Sequence, residues 1–582
     1  MLYKNYIRVL YIDLSNEKFR VEERSDLWEY LGGVGVASKL LEEEMRADLD
    51  ALAPEQVIVF ANGVISSIFP VVTKTVAMFI SPLTGELGES YAGGRMALTM
   101  LMAGYDAIVL TGRHRRQSYL SIKTHNVEFK DARAFKGMSA KEIGRYIRDK
   151  EAGSGKRSIL RIGPAGENGV AYASVCVDTY RHFGRLGLGA IIGSKNLKAI
   201  SIMGDRVMPI AKPIEYLKAY RLLFDKSTET NHMQKYHDIG TAVNLEPLSE
   251  MGALPTNNMQ SGSFAAAEEI SGERFAEENL VRKMACAGCP VGCIHVGQFR
   301  REFDKGHEYE SISVGYDYEL LYALGSFLGI EKRDEILSLI DKVEDEGMDA
   351  MSTGVVLGWA TEAQKKEMLT EEQTLVKLEF GNAENYLKAI EYIADRKNEF
   401  YTDLGKGVAK ASKIYGGEDF AMAIAGNEMS GYHTGYGALV GTLVGARHSH
   451  LCNGGYALDQ SMKDFDAEKM VDTLWNEEVE RCLLNSLIIC LFARKVYDRE
   501  TILLALNVIG RSEITNEELT RISREIYKTK LRIKAKLNFV LENVQLPQRY
   551  FETPSMKGTL DKELVLSLIG KFQEKNKILM AE

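Results

Sequence analysis

The chain has 582 residues, 45% apolar and 26% charged, with a net charge of −9. It is too long for one hydrophobic core, so two to four domains are expected, and its composition is that of an ordinary globular protein. No Lys/Arg-rich block marks a nucleic-acid surface and no run of about 18 apolar residues marks a membrane span; the N-terminus, MLYKNYIRVLYIDLSNEKF, lacks the apolar stretch and cleavage site of a secretory leader, so a cytoplasmic protein is expected.

Residues 1–208 read as strand-rich. IRVLYIDL, VIVFANGV, TVAMFIS, AIVLTGR, SYLSIK, SILRIG and VAYASVCV are short β-branched runs bounded by Gly, Asn or Ser. Two helical patterns interrupt them, SKLLEEEM and SAKEIGRYIRDKEAG. This texture predicts packed sheets or a barrel-like layer rather than a doubly wound sheet. From residue 209 the period changes. PIEYLKAYRLLFDKSTE, RDEILSLIDKVEDEG, NAENYLKAIEYIADRKNEF and NEELTRISREIYKTKLRIKAKLNFVLENV space their apolar residues as helices do. The class is therefore α+β, with a β domain over 1–208 and two mostly helical domains over 209–415 and 416–582.

Seven cysteines are present, and three crowd into MACAGCPVGC as Cys286, Cys289 and Cys293. Their spacing turns three thiolates toward one point, which suits a [4Fe–4S] cube or a zinc ion. Either wants a fourth ligand from elsewhere. Cys482 and Cys490, in RCLLNSLIICLFARK, would share roughly one face of a helix, and Cys452 is a third candidate. Cys176 reads as a buried core thiol.

Glycines cluster with cations in RHFGRLGLGAIIGSKNLKAI, where Arg181, Gly184, Arg185, Lys195 and Lys198 could cradle phosphate through backbone N–H groups and charge. The spacing misses the dinucleotide fingerprint and the P-loop. SYAGGRMAL and LGGVGVASKLL are similar. Several such loops in one strand-rich half indicate a large phosphate-bearing cofactor.

SPLTGELGESYAGG, AGYDAIVLTG, IGPAGEN, GRLGLGAIIGSKNLKAI, the Cys-x-x-Cys-Pro-x-Gly-Cys loop, EYESI and LPQRYFETP together resemble the tungsten-containing aldehyde:ferredoxin oxidoreductase family over nearly the whole chain. The resemblance implies an N-terminal β domain cradling two pyranopterin dithiolenes that hold tungsten or molybdenum, two helical domains, and one [4Fe–4S] cluster. It selects Cys490 as the fourth cluster ligand, at the end of NSLIIC, where Asn485 replaces the family's acid and Ile488 its glycine. The partner motif is EDEGMD, with Glu344 for the first Asp and Asp349 at its end. It further implies cofactor contacts from Lys74 (an Arg in the family), Tyr91 (an Asn there), Gly93, Arg181, Gly184, Arg185, Asn485 and Ile489.

Oxidising an aldehyde to a carboxylic acid adds oxygen from water and removes two electrons. It needs a base near the reacting carbon and a donor near the carbonyl oxygen. By resemblance Glu310, the second Glu of EYES, is the base. His448 and His450 in GARHSHLCNGG are the donors, His450 preferred. With no nicotinamide fingerprint, electrons must pass to ferredoxin or a small iron–sulfur subunit, and the resemblance also suggests a homodimer. The competing readings are a reductive member of the same fold, an acid or aryl-CoA reductase, and a zinc-stabilised binding protein without redox chemistry.

Overall fold

In this computed structural model, residues 5–153, 155–207, 210, 212–304 and 306–582 are described. The expected boundary between 208 and 209 lies outside them. The first half builds two mixed sheets of six strands each. In chain order the strands are β1 (Ile7–Asp13), β2 (Lys18–Arg24), β3 (Ile58–Ala61), β4 (Thr75–Ile80), β5 (Leu87–Ala92), β6 (Ala107–Thr111), β7 (Ser118–Ile122), β8 (Val127–Asp131), β9 (Arg157–Arg161), β10 (Val175–Val177), β11 (Arg181–Phe183) and β12 (Leu197–Met203). The sheet orders are β2-β1-β6-β3-β4-β5 and β11-β10-β9-β12-β7-β8. Within each sheet a single pairing is parallel, β1 with β6 and β7 with β12. This matches the expectation of packed sheets.

The two-residue strand period decides which side chains meet. Leu10 and Ile12 of β1 turn inward with Phe60, Phe79, Leu120 and Ile200, forming a core between the sheets. Val9 and Tyr11 turn outward to a second core, shared with the helices Gly33–Glu44, Ala467–Ser486 and Asn516–Lys536. Because those strands are buried on both faces, their sequences read as continuous apolar runs.

The rest of the chain is mostly helical. Ala350–Lys365 is buried at every position from Met351 to Ala363 and forms the axis of the largest core. Three predicted helices end early, and the one from Asn516 stops at Lys536 rather than reaching Val544. The pattern from Ala383 stops at Asp395, where Arg396 turns left-handed (φ 51°), and Asn398 caps a new helix, Glu399–Leu404. Cys482 and Cys490 do not share a helix face, because that helix ends at Ser486. A three-stranded antiparallel sheet also lies in this half: β13 (Leu280–Met284), β14 (Ile294–Asp304) and β15 (Glu308–Tyr316). Among the described residues, no helix is long and apolar enough to cross a membrane.

The segment LPQRYFETP is tied to the central helix by charge. Arg549 donates to both carboxylate oxygens of Glu362, at 2.6 and 2.9 Å, and to the Asn258 carbonyl at 3.0 Å. Glu362 is almost fully buried, and although burial pushes its carboxyl up, Arg549 and Asn258 hold it below the usual range. Its folded pKa is thus depressed, so its contribution is present above the unfolded value of about 4.3 and lost as pH falls through the folded value. Arg549→Met leaves a buried carboxylate with only the exposed Lys366, 3.7 Å away, as a cation. It should cost about 3–5 kcal/mol at neutral pH. Denaturant titrations at pH 7 and pH 4 should show the penalty shrinking at the lower pH, where the orphaned carboxylate becomes protonated.

Candidate active site

Two helix ends frame one cavity. Arg333–Glu346 closes in a Schellman turn: Gly347 is left-handed (φ 74°), its N–H meets the Glu344 carbonyl at 3.2 Å, and Met348 N–H reaches the Val343 carbonyl at 3.0 Å. Ala467–Ser486 ends the same way. Ile488 is left-handed (φ 60°), its N–H meets the Asn485 carbonyl at 3.3 Å, and Ile489 N–H reaches the Leu484 carbonyl at 2.9 Å. The two six-residue motifs, Glu344 to Asp349 and Asn485 to Cys490, therefore have the same backbone. A left-handed β-branched residue costs roughly 1–2 kcal/mol, which is the physical reason a glycine suits that position.

Both ends abut the strand-rich half at glycines. A Cβ on Gly163 would collide with the Glu346 carbonyl, and one on Gly33 with the carbonyls of Asn485 and Ser486. Met348 bridges to Ala173, and Cys490 N–H donates to the Val71 carbonyl at 3.2 Å. Between these seams opens a cavity of about 410 Å³. Lys74, Tyr91, Arg181, Gly184, Arg185, Glu344, Asp349, His450, Asn485, Ile489 and Cys490, all singled out in the sequence, line it.

The local chemistry orders these side chains. Tyr91 donates to Glu89 at 2.6 Å, and Arg447 stacks over its ring at 5.1 Å. Burial pushes Glu89 up, but Lys530 and Arg447 beside it prevail and hold it down at about 2. Asp349 caps the central helix, accepting from the N–H groups of Met351 and Ser352 at 3.2 Å, and accepts from Arg185 Nε at 3.1 Å. Arg185 also donates to the Glu428 carbonyl at 2.8 Å. Glu344 is pushed up to about 8 by burial, reinforced by Asp341 and Asp345 and opposed by Lys141 and Arg161. His182 is pushed down to about 3 by burial and by Arg181 and Arg161. Among the described residues, Ser174 Oγ, His182 Nε2, Asn427 Oδ1 and His450 Nδ1 are buried at this cavity without a hydrogen-bond partner. A Cβ on Gly184 would touch nothing within 4 Å.

The four cysteines form a cage at the cavity wall. Cys289, Cys293 and Cys490 pack against one core. Burial raises Cys289 to about 12 and Cys293 to about 11, and Cys490 and Cys286 add to both. Arg181 and Lys74 oppose the rise at Cys293. Gly93 makes room for this cage, since a Cβ there would collide with the Cys286 sulfur. It also lies against Arg181, so it stands between the cysteine loop and the expected phosphate-binding arginine. Gly288 (φ 83°) and Gly292 (φ 66°) supply the left-handed turns between the thiols. Cys452 and Cys482 are buried elsewhere, Cys482 donating to the Glu478 carbonyl of its own helix.

Four expectations are corrected. Glu310 is not at the cavity: it stands on β15, nearly half exposed, paired with Arg301 at 2.7 Å. His448 faces away, buried between Glu86 and Lys534. Lys195 and Lys198 do not offer charge to a phosphate. The Lys195 ammonium donates to the carbonyls of Pro54, Gln56 and Gly112, and Lys198 pairs with Glu167. Besides Glu89, two carboxylates at the cavity were not singled out in the sequence, Asp317 and Glu319. The Glu-Tyr-Glu pattern of 308–310 recurs as Asp317-Tyr318-Glu319, at the start of the helix Tyr318–Leu324, which Asp317 caps. That repetition was the signal available in the sequence. Glu319 Oε1 stands 3.1 Å from His450 Nε2, and its other oxygen accepts from Gly431 N–H at 3.2 Å.

Comparison with known proteins agrees with this architecture. The family model described as aldehyde ferredoxin oxidoreductase, N-terminal domain, matches residues 9–204, and that described as aldehyde ferredoxin oxidoreductase, domains 2 & 3, matches residues 216–574. The tungsten-containing aldehyde ferredoxin oxidoreductase of Pyrococcus furiosus is 31% identical over 96% of this chain and 93% of its own length; that of Thermococcus kodakarensis is 30% identical over the same shares. A solved structure titled as the active-site complex BamBC of benzoyl coenzyme A reductase with 1,5-dienoyl-CoA has the same fold, with a TM-score of 0.81 at 19% identity, covering 98% of this chain and 94% of that one. With two family models spanning the strand-rich half and the helical half in turn, the chain belongs to the aldehyde ferredoxin oxidoreductase family and is an oxidoreductase.

Proposed function

We propose that the chain oxidises an aldehyde to a carboxylic acid in this cavity and passes the electrons out through the cysteine cage. The observation that carries the reading is one of placement: the Glu319–His450 pair and Cys490 open onto the same cavity. The residues fit the group the relatives' names imply, a tungsten pterin. The unpartnered polar atoms, the open space at Gly184 and the neutral carboxyl of Glu344 suit a large polar heterocycle that brings its own donors and acceptors. Glu344 and Asn485, equivalent positions on two equivalent helix ends, would each meet one pterin. Lys74, Tyr91, Arg181 and Arg185 would meet the remaining polar groups, and Ile489 and Asp349 would close the walls. Bound there, such a centre supplies two-electron acceptance, with a [4Fe–4S] cluster on Cys286, Cys289, Cys293 and Cys490 relaying electrons singly. Zinc is disfavoured as the occupant of the cage. Zinc would draw the sulfurs to roughly 3.8 Å from one another through Zn–S bonds of about 2.3 Å and would leave the electrons no relay.

The protein's own work is proton handling. Water adds its oxygen to the carbonyl carbon as Glu319 and His450 take a proton from it. The second proton and the electron pair then leave that carbon, so aldehyde and water become acid, two protons and two electrons. Gly431 N–H holds one Glu319 oxygen, which leaves the other aimed at His450. The half-buried rings of Tyr432 and Tyr456, stacked 4.2 Å apart, limit water around the pair.

Glu319→Gln should lower kcat for aldehyde oxidation with a viologen dye by about 10²–10⁴-fold, while Glu310→Gln leaves it unchanged. Equal activity of Glu319→Gln and the parent would exclude this carboxylate as the base. Anaerobically purified parent should carry tungsten or molybdenum and about four irons per chain. Gly93→Ala, through its clash with the Cys286 sulfur, and Cys490→Ser should each lower the iron content and the broad absorbance near 400 nm; unchanged iron in both variants would remove these residues from the cage.

A further inference from the structure

Beyond the Glu319–His450 pair the cavity continues as an apolar slot. Leu320, Tyr432, Leu451, Tyr456, Leu491 and Phe492 wall it there. The Tyr456 ring lies 5.9 Å from the His450 imidazole, nearly edge-on at 64°, and 4.2 Å from the Tyr432 ring. Tyr236 backs Phe492, with the two rings 4.2 Å apart and 8° from parallel. Each stacked pair holds its rings in fixed planes, and such walls suit a flat apolar body.

One cation stands in this slot without an anion. Arg494 lines the cavity and is half-buried. Among the described residues no carboxylate lies within ion-pair distance of it, and one of its N–H groups donates to the Leu491 carbonyl at 2.8 Å. The other arginine of the slot, Arg481, is already satisfied: its Nε pairs with Glu477 at 3.0 Å, and another of its N–H groups donates to the Leu451 carbonyl at 2.8 Å. Burial raises the hydroxyls of Tyr236 and Tyr456, and in both the charge of Arg494 is the strongest influence opposing the rise. The guanidinium therefore stands beside both tyrosines. Tyr456 is a neighbour shared by His450 and Arg494: its ring faces the first and its hydroxyl feels the second. A half-buried guanidinium with N–H groups to spare is matched by a carboxylate, which it can hold through two parallel hydrogen bonds.

We propose that this slot selects aldehydes that carry a carboxylate at the far end of an aryl body, and that Arg494 is the residue that recognises the carboxylate. The proposal rests on the reading that the cavity oxidises aldehydes, and it narrows that reading to a substrate class. The formyl carbon sits at Glu319 and His450, the ring lies along Tyr432 and Tyr456, and the carboxylate meets Arg494. The carboxylate takes no part in the oxidation, so the product is an aryl dicarboxylate. In a chain of net charge −9 an anionic substrate needs such a local cation. A neutral analogue leaves the guanidinium out of water and unmet, which discriminates more strongly than a change of apolar bulk does.

The probes are para-formylbenzoate and its methyl ester, which keeps the ring and the electron-withdrawing group but removes the charge. The anaerobic holoenzyme, assayed with a viologen dye, should favour the acid in kcat/KM by about tenfold or more. Arg494→Met should abolish that preference by raising KM for the acid. Arg494→Lys should restore part of it, because the charge returns without the planar fork. A parent that uses acid and ester equally well, or prefers the ester, overturns the subsite. So does an Arg494→Met variant that loses both substrates in the same proportion, which assigns Arg494 to the cysteine cage or to folding instead. Terephthalate, the product, is the binding probe: by calorimetry the parent should hold it about tenfold or more tighter than Arg494→Met does. A parent that oxidises neither compound nor acetaldehyde, yet binds terephthalate through Arg494, keeps the carboxylate subsite and discards the aldehyde reading. A parent that binds terephthalate no better than the variant overturns the subsite, whatever it oxidises.

Discussion

The cavity exists because two helix C-termini come within backbone contact of the strand-rich half. Neither contact leaves space for a side chain. Gly163 lies against Glu346 and Gly347, and Gly33 against Asn485 and Ser486. At each seam a helix has to end, and a Schellman turn both satisfies its last carbonyls and swings the chain away. The residue that follows the turn then points where the site needs it: Asp349 caps the central helix and holds Arg185, and Cys490 joins the cage. One local motif, used twice, sets both the cavity-facing carboxamide and carboxyl and the cysteine that arrives from the far end of the sequence. The strain at Ile488 is tolerated because the side chain is buried in the second core, so packing offsets the backbone cost.

Electrostatics makes this cavity receptive to a charged occupant. Burial raises the thiols of Cys289 and Cys293 and the carboxyl of Glu344 well above their usual values. Taking up metal would therefore release protons and become tighter as pH rises. Lys74 and Arg181 oppose the rise at Cys293, and so prepare the cage for negative charge. Farther out, Glu89, Lys530 and Arg447 form a fully buried network that orients Tyr91. Removing any one of them would leave an uncompensated charge, so this network fixes geometry more than it adds stability.

Much of this was legible in the sequence because it depends on local chemistry. Strand and helix periods, the crowded cysteines and the positions of Lys74, Tyr91, Arg181 and Asn485 all follow from short patterns or from the family resemblance they carry. Glu319 was missed since two similar tripeptides, Glu308-Tyr309-Glu310 and Asp317-Tyr318-Glu319, compete in one window. Only tertiary packing shows that the first lies on an exposed hairpin and the second at a buried helix start. Lys195 and Lys198 misled for a related reason. A Lys beside glycines looks phosphate-binding, yet the Lys195 ammonium serves three carbonyls of one loop junction. The choice of His450 over His448 turns on the left-handed residue His448 itself (φ 51°), which sends adjacent side chains in opposite directions, a detail no spacing rule encodes.

The residues of the two ends of the reaction come from different parts of the chain. The clustered cysteines come from the Cys286–Cys293 loop and from Cys490, while the Glu319–His450 pair is built from the Tyr318–Leu324 helix and the segment from Gly431 to Tyr456. The cage and the helix ends are bound by backbone fit, where even a methyl group is excluded. The cavity wall at Tyr432, Leu451 and Tyr456 is built from side chains, and Leu451 is 37% exposed. That difference lets the wall vary without disturbing the seams. A substitution in that wall alters only the lining of the cavity, whereas a side chain added at the seam glycines meets backbone.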